Sequence, residues 1–565
     1  MSSNNVTGLN KTELNLPRSV FPVNKRHITS IAMGDLVPIM VKEILPGDTI
    51  SLDLTSVIRN ATPFVNPVYG DLALDAYAFF VPNRLVWDHW FNFCGQNDNS
   101  AWTQIYQYLV PKQNYSIYVE EDVSSSKTKI GEYMGLPTAK KQQTSSKMNF
   151  PINELPLRGY ARIWNEWFRD ENYETPILLT YGDKANTKYR YNSEPLKVNK
   201  QHDYFTNVLP EPQKGAAVSV PLSGVAKLYK DPKTTSLMPG TDVIYLQGAS
   251  ATTGGTHVLS ATSAGGSVTF GGTSINDQIQ FNLEVNPSAL EVDLSNATAA
   301  TINAWRIAFQ TQVFLETLAR YGSRYNELVL GLFGVETGDT RAYRTELLGG
   351  IHVPLNMQEV VATSSSADNS ATEYALGQQV VKLANADQSS LCTKSFTEHG
   401  FLFVLVCIRA KEQYYQGIER FWKRDVFLDY YNRIFDNIGE TPVYMSEITA
   451  AGKGRDETSE GQVRYDKDND RVFGYQEAWA DYRYEKDLVT GHLTPDFLPT
   501  YTFAQELSNN TTPIGLIPED RRRYQRTTAL TELPYDFMCD FMLTGKIARV
   551  MSVRSIPGLI DHHGV

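Results

Sequence analysis

The string DKDNDRVFGYQE sets Asp466, Asp468, Asp470 and Glu477 at the first, third, fifth and twelfth positions of a calcium-loop register. Oxygen ligands at that spacing suit a hard cation. Arg471 takes the sixth position, where the sharp turn calls for glycine, and its charge opposes a cation, so a solvated acidic loop is the plainer reading. A second cluster, EDRRRYQR, gathers Arg521, Arg522, Arg523 and Arg526 around Tyr524. Arginines interleaved with an aromatic ring suit phosphate contact and base stacking. Glu519 and Asp520 stand directly before them, so ion pairs of the fold or of a subunit interface compete with that role. A third set, Arg18, Lys25 and Arg26, lies in LPRSVFPVNKRHITS and offers local contacts to nucleic acid, or a solvated arm.

Catalytic patterns are missing. TGKIAR at Thr544 lacks the upstream glycine and the following Ser/Thr of a phosphate-binding loop. Neither HExxH nor GxSxG occurs. Ser124 and Lys127 match SxxK inside SSSKTK, a spacing that chance supplies in such a run. The histidines are scattered, and His562 and His563 have no Cys or His near them in sequence. The expectation is a protein without enzymatic activity and without a cofactor.

The elements that would position these groups are mostly strands. In PGDTISLDLTSVIR, Ile50, Leu52 and Leu54 alternate with Ser51, Asp53 and Thr55, which is the period of a half-buried strand. DLALDAYAFFVP repeats the pattern and stops at Pro82. HGFLFVLVCIRA holds an apolar run from Phe401 to Ile408, short and rich in β-branched and aromatic residues, as in a strand covered on both faces. Helices are few. Ile302, Trp305, Phe309 and Val313 recur at helical spacing over residues 302–320, and Gly322 supplies a stop. YARIWNEWFRDENY, from Tyr160, reads as a short amphipathic helix. Long polar stretches at residues 247–274, 361–390 and 451–471 read as surface loops.

Composition bounds the partners. A chain of 565 residues with net charge −11 does not bind nucleic acid over its whole surface, so any such contact is one-sided. The first 34 residues show how: Lys11, Arg18, Lys25 and Arg26 stand against Glu13 alone. Apolar residues at 42% allow a large core. Cys94, Cys392, Cys407 and Cys539 form no CxxC pair and no disulfide framework, which favours a reducing compartment. The N-terminal residues are polar, with no secretory apolar core, and no apolar run reaches the length of a membrane span.

Several long stretches carry a resemblance. FFVPNRLVWDHWFNFCGQ (79–96), PLRGYARIWNEWFRDEN (156–172), RYGSRYNELVLGLFGV (320–335), VFGYQEAWADYRY (472–484) and SIPGLIDHH (555–563) resemble, in order, the signatures of gokushovirus major capsid proteins of the Microviridae. The resemblance implies a mainly β fold: a single eight-stranded antiparallel jelly-roll barrel with long loop insertions and a few short helices. It implies an extended N-terminal arm over residues 1–34, a capsid domain over residues 35–565, and a variable surface insertion at residues 210–300 that forms a threefold protrusion. It further implies sixty copies in a T=1 icosahedral shell around circular single-stranded DNA, assembled in the bacterial host cytoplasm. A small basic DNA-binding protein, pilot or scaffolding proteins and a host surface receptor are the implied partners. Within that picture Arg320, Arg324, Tyr325 and Glu327 are candidates for intersubunit or structural ion pairs on a helical corner, with Trp305, Phe309, Val313 and Leu318 packing beneath. Trp164 and Trp167 are candidates for an interface or for the subunit's own core. A jelly roll that binds or cleaves glycans remains the alternative, although no facing pair of carboxylates is evident in the sequence.

Overall fold

The computed structural model describes residues 18–96, 108–117, 127–137, 148–216, 218, 227–230, 290–293, 302–322, 324–335, 343–361, 379–436, 438–450, 456–457, 463–464, 471–508, 511–530 and 533–554. It divides into two compact units, residues 1–214 with 316–565, and residues 215–315.

The first unit is mainly β. One sheet contains β1 (Ser19–Ile31), β3 (Thr49–Asn60), β6 (Met357–Val361), β7 (Gln379–Ser395) and β9 (Phe537–Arg549), in the order β1-β9-β3-β7-β6. The other contains β2 (Val37–Ile44), β4 (Leu72–Pro82), β5 (Glu346–Leu355) and β8 (Gly400–Ala410), in the order β2-β8-β4-β5. Every pairing in both sheets is antiparallel. Neighbours in space are distant in sequence: β1 pairs β9 over its whole length, from Ser19 opposite Arg549 to Ile31 opposite Phe537.

The two sheets share one core. Val23, Ile50, Leu52, Leu54, Ile58, Phe541 and Leu543 of the larger sheet meet Ile39, Leu72, Leu74, Leu402, Val404 and Val406 of the smaller. β3 shows the expected alternation, with Ile50, Leu52 and Leu54 inward and Ser51, Asp53 and Thr55 outward. β8 explains its unbroken apolar run. Successive side chains on a strand point to opposite faces. Leu402, Val404, Val406 and Ile408 enter the shared core, whereas Phe401, Phe403, Leu405 and Cys407 face a second cluster built on helix α1 (Leu155–Ile163) and Trp87. Each such side chain, fully removed from water, contributes about 1.5–3 kcal/mol.

Three sequence expectations change here. Residues 19–31, read as part of an extended arm, are indeed extended but form an edge strand of the larger sheet, with Val23 and Ile31 in the core that the two sheets share. Residues 379–390, read as the end of a polar loop, belong to β7. That strand exposes one face, so its polar alternation leaves little apolar signal. The helix that follows Trp87 in the second cluster begins at Leu155, earlier than Tyr160, and passes at Trp164–Phe168 into a wider π turn.

The second unit contains an antiparallel pair, Lys227–Lys230 with Leu290–Asp293, and most of helix α2 (Ile302–Tyr321). Trp305, Phe309 and Val313, expected to pack, are exposed, and Leu318 is half-buried. Helical spacing marks an apolar face but does not say what covers it.

Candidate functional site

The helical corner is built from short-range backbone rules and long-range ion pairs. α2 stops at Gly322, whose φ of 97° is open to glycine at no cost. Helix α3 (Tyr325–Phe333) then starts from Arg324 and ends at Gly334, again left-handed, whose N–H donates to the Leu330 carbonyl at 2.9 Å. The Glu327 carboxylate accepts the Arg324 N–H at 3.3 Å and pairs with its guanidinium at 2.9 Å. Arg324 also donates to the Asn165 carbonyl at 3.1 Å. Arg320 pairs with Glu440 and donates to Gln476 Oε1 at 3.3 Å. Burial raises the Glu440 carboxyl above its ordinary range, and the hydrogen bond from Arg320 offsets this only in part. Tyr325 is exposed.

The same corner receives the Trp-rich motif. Trp164 is buried and its indole N–H donates to the Lys197 carbonyl at 2.7 Å. Trp167 stays about one-third exposed, donates to Thr345 Oγ1 at 2.9 Å and carries the Arg344 guanidinium 3.8 Å from its ring centre. Glu166 accepts from the Thr345 N–H at 2.8 Å and from Arg162 at 2.8 Å. Segments around residues 165, 320–327, 345, 440 and 476 therefore converge, and the ion pairs that join them lie within one subunit. Nothing in this arrangement presents a nucleophile beside a base. Its chemistry is mutual fixation.

The arginine cluster resolves differently from its sequence reading. Asp520 caps the short helix α4 (Arg521–Gln525) by accepting the Arg522 N–H at 3.0 Å. Arg521 reaches Asp536 at 2.6 Å and the Leu533 carbonyl at 2.6 Å. Arg526 reaches Glu506 at 2.9 Å and the Ala504 carbonyl at 2.7 Å. Arg523 is buried between Glu519 and Glu412, with Glu412 at 2.8 Å. Tyr524 is buried too, against Phe64, Phe503 and Phe537. Arg523 and Tyr524 thus have no access to an external phosphate or base, because the fold brings carboxylates and aromatics to them from far away in sequence. Arg522 is the exposed member, with Asp520 beside it.

The N-terminal cations separate by strand parity. Arg26 is exposed on the outer face of the larger sheet and pairs with Asp540. Lys25 lies on the opposite face, half-buried, and burial together with Lys42 lowers its pKa. Arg18 is exposed just before β1. Of the calcium register, Asp466, Asp468 and Asp470 lie outside the described residues. Glu477 ends a strand, Val472–Glu477, and meets Arg483 at 2.8 Å rather than a cation site. Among the described residues no group of three or more His, Cys, Asp or Glu could hold a metal ion.

A model of the capsid protein (F protein) family matches residues 11–559. The chain belongs to this capsid family. It is 33% identical to capsid protein VP1 of Chlamydia phage 1 over 96% of each chain. It is 34% identical to capsid protein VP1 of Bdellovibrio phage phiMH2K over 93% of this chain and 92% of the relative, and 32% identical to that of Spiroplasma virus 4 over 96% of each. The capsid subunit is a structural protein of a microvirus-type phage and a virion component, not an enzyme. Among the described residues no helix is long and apolar enough to cross a membrane.

For a capsid subunit the functional site is its surface, and sequence reasoning passed over one part of it. In ERFWKRDVFLDYYNRIFD (419–436), Phe421, Trp422, Phe427, Leu428 and Ile434 are exposed. The signal was available: bulky apolar residues interrupted by charges, fitting neither a helical nor a strand period.

Proposed function

We propose that this capsid subunit self-assembles into a T=1 icosahedral shell of sixty copies enclosing a circular single-stranded DNA genome, assembled in the bacterial host cytoplasm. Membership of the capsid family carries the reading. Its fold is proposed to be a jelly-roll barrel. The strand orders β1-β9-β3-β7-β6 and β2-β8-β4-β5, two antiparallel sheets of five and four strands around one core, support it. In such a barrel the loops at the strand ends are free to grow into subunit contacts. Residues 210–300 are proposed as the threefold protrusion used in host attachment.

The DNA contact is proposed for the outer face of the larger sheet. Register places Arg26, Arg59 and Lys546 on that one face, with Ser51, Thr55 and Thr544 between them and Arg18 at its edge. Asp53 and Asp540 share the face, so the attraction is modest and suits a strand held at many weak sites rather than one tight one. The net charge of −11 leaves room for a small basic protein that helps condense the genome, with pilot or scaffolding proteins and a host receptor as further partners.

Electron microscopy of the full chain, expressed alone and together with its neighbouring phage genes, tests the reading. Closed, uniform small icosahedra in either sample are expected. Only monomers and open oligomers in both would overturn it.

A further inference from the structure

Residues 418–436 join two properties that rarely coexist: a fixed backbone and exposed bulky apolar side chains. The segment has only short turns, Arg420–Lys423, Phe427–Asp429 and Arg433–Phe435. Its polar atoms are tied down. The Ile418 N–H donates to the Ser446 carbonyl at 2.8 Å, and the Asp429 carboxylate accepts the N–H groups of Asp425 and Val426, both at 2.9 Å. Arg424 pairs with Asp481 and lies 4.3 Å from the centre of the Tyr482 ring. The Trp479 indole N–H donates to the Phe435 carbonyl at 3.0 Å. Two of the anchoring partners, Ser446 and Asp481, directly follow Met445 and Ala480 of a third apolar cluster that also holds Val443 and Phe473.

The apolar side chains face outward. Trp422 is 73% exposed, Phe427 75% and Ile434 84%, and Phe421, Leu428 and Tyr430 are exposed as well. Six such side chains, roughly two-thirds exposed at about 200 Å² each, present on the order of 800 Å². That is about the share one partner gives to an interface of standard size. The fixed backbone means that docking costs little ordering entropy.

Charge narrows the partner. Glu419, Asp425, Asp429 and Asp436 balance Arg420, Lys423, Arg424 and Arg433, so the segment is neutral. A nucleic-acid or anionic-membrane surface would carry an excess of cations. A protein face with apolar anchors and charges of both signs around them fits the segment instead.

We propose that residues 418–436 dock on a second copy of this chain, with Trp422, Phe427 and Ile434 as the anchors. The inference rests on the shell reading, since a subunit of a closed shell must offer its neighbours such surfaces.

The test uses the full chain carrying Phe427→Asp and Ile434→Asp, under the conditions in which the unmodified chain forms particles. The variant is expected to stay soluble with an unchanged unfolding midpoint, while the subunit concentration needed for assembly rises at least tenfold. Particles at the unmodified yield would overturn the contact and leave the shell reading intact. If the unmodified chain forms no particles, the shell reading fails and this contact with it. Should the double variant not fold, Ile434→Cys supplies a second measurement. Maleimide labelling at that position, read by peptide mass, is expected to be at least tenfold slower in particles than in dissociated subunits. Equal rates would overturn the proposal.

Discussion

Replacing Arg523 with methionine separates a structural arginine from a nucleic-acid arginine. The side chain is 2% exposed. Its guanidinium donates to Glu519 Oε1 and to the Ala410 carbonyl at 3.0 Å, and it stands 2.8 Å from Glu412. Arg523→Met keeps most of the volume and removes the charge. Glu519 then loses its guanidinium partner, and Glu412 keeps only Lys200, at 3.5 Å. Removing one partner of a buried ion pair costs about 3–5 kcal/mol. That is roughly two to four orders of magnitude in the folding equilibrium. Urea unfolding of the unassembled subunit, followed by tryptophan fluorescence, measures it. The loss has a pH signature. Burial already raises the Glu412 carboxyl, and Arg523 is the first group pulling it down. In the variant the folded pKa rises further above the unfolded value of about 4.3. The folded chain then holds a proton that the unfolded chain has released, so stability falls as pH rises through that window. The deficit is therefore larger at pH 8 than at pH 5. Adding Glu519→Gln, which leaves the Lys200–Glu412 pair in place, should recover most of it. A variant with unmodified urea stability and weakened single-stranded DNA binding would refute this reasoning and return Arg523 to the nucleic acid.

Further outcomes follow from other features. Arg26→Ala, Arg59→Ala and Lys546→Ala together should weaken single-stranded DNA binding and flatten its salt dependence by about 0.7 in log–log slope for each phosphate that is no longer neutralised, with the unfolding midpoint unchanged; filter binding across a salt series reads this. Gly545→Val should abolish soluble subunit, because even a Cβ there collides with the Ser51 carbonyl of the adjacent strand; the soluble fraction after expression is the measure. In the native subunit a thiol reagent should modify Cys94 and spare the other three cysteines. Cys94 is exposed, whereas burial pushes the Cys392 thiol up to about 11 and the Cys407 thiol up to about 12; counting titrated thiols before and after denaturation checks this.

Some of the architecture was legible because it is written in local periods. The alternation at Ile50, Leu52 and Leu54 placed β3, and the continuous run from Phe401 to Ile408 announced a strand buried on both faces. The helix over residues 302–320 was visible from its spacing, and Gly322 from its place after it. β7 was not visible, because half of it faces water and its inward residues are mostly small or polar. The basic clusters show their charge in the sequence, but charge alone does not say where the opposite charge will come from. Asp536 and Glu412 reach Arg521 and Arg523 only after β8 and β9 have taken their places.

By itself, the sequence determined the mainly β class and the capsid kinship. Each rests on residue types and spacings inside short stretches of chain, taken together in their order. The tertiary structure decided which charges are spent inside the subunit and which remain outside. It buried Arg523, turned Arg26 outward and Lys25 inward on the same strand, and left Trp422 and Phe427 in water. The physical reason is that burial and pairing are relations between residues hundreds of positions apart. Antiparallel pairing of the first described strand with the last sets those relations for β1, and neither strand states them alone.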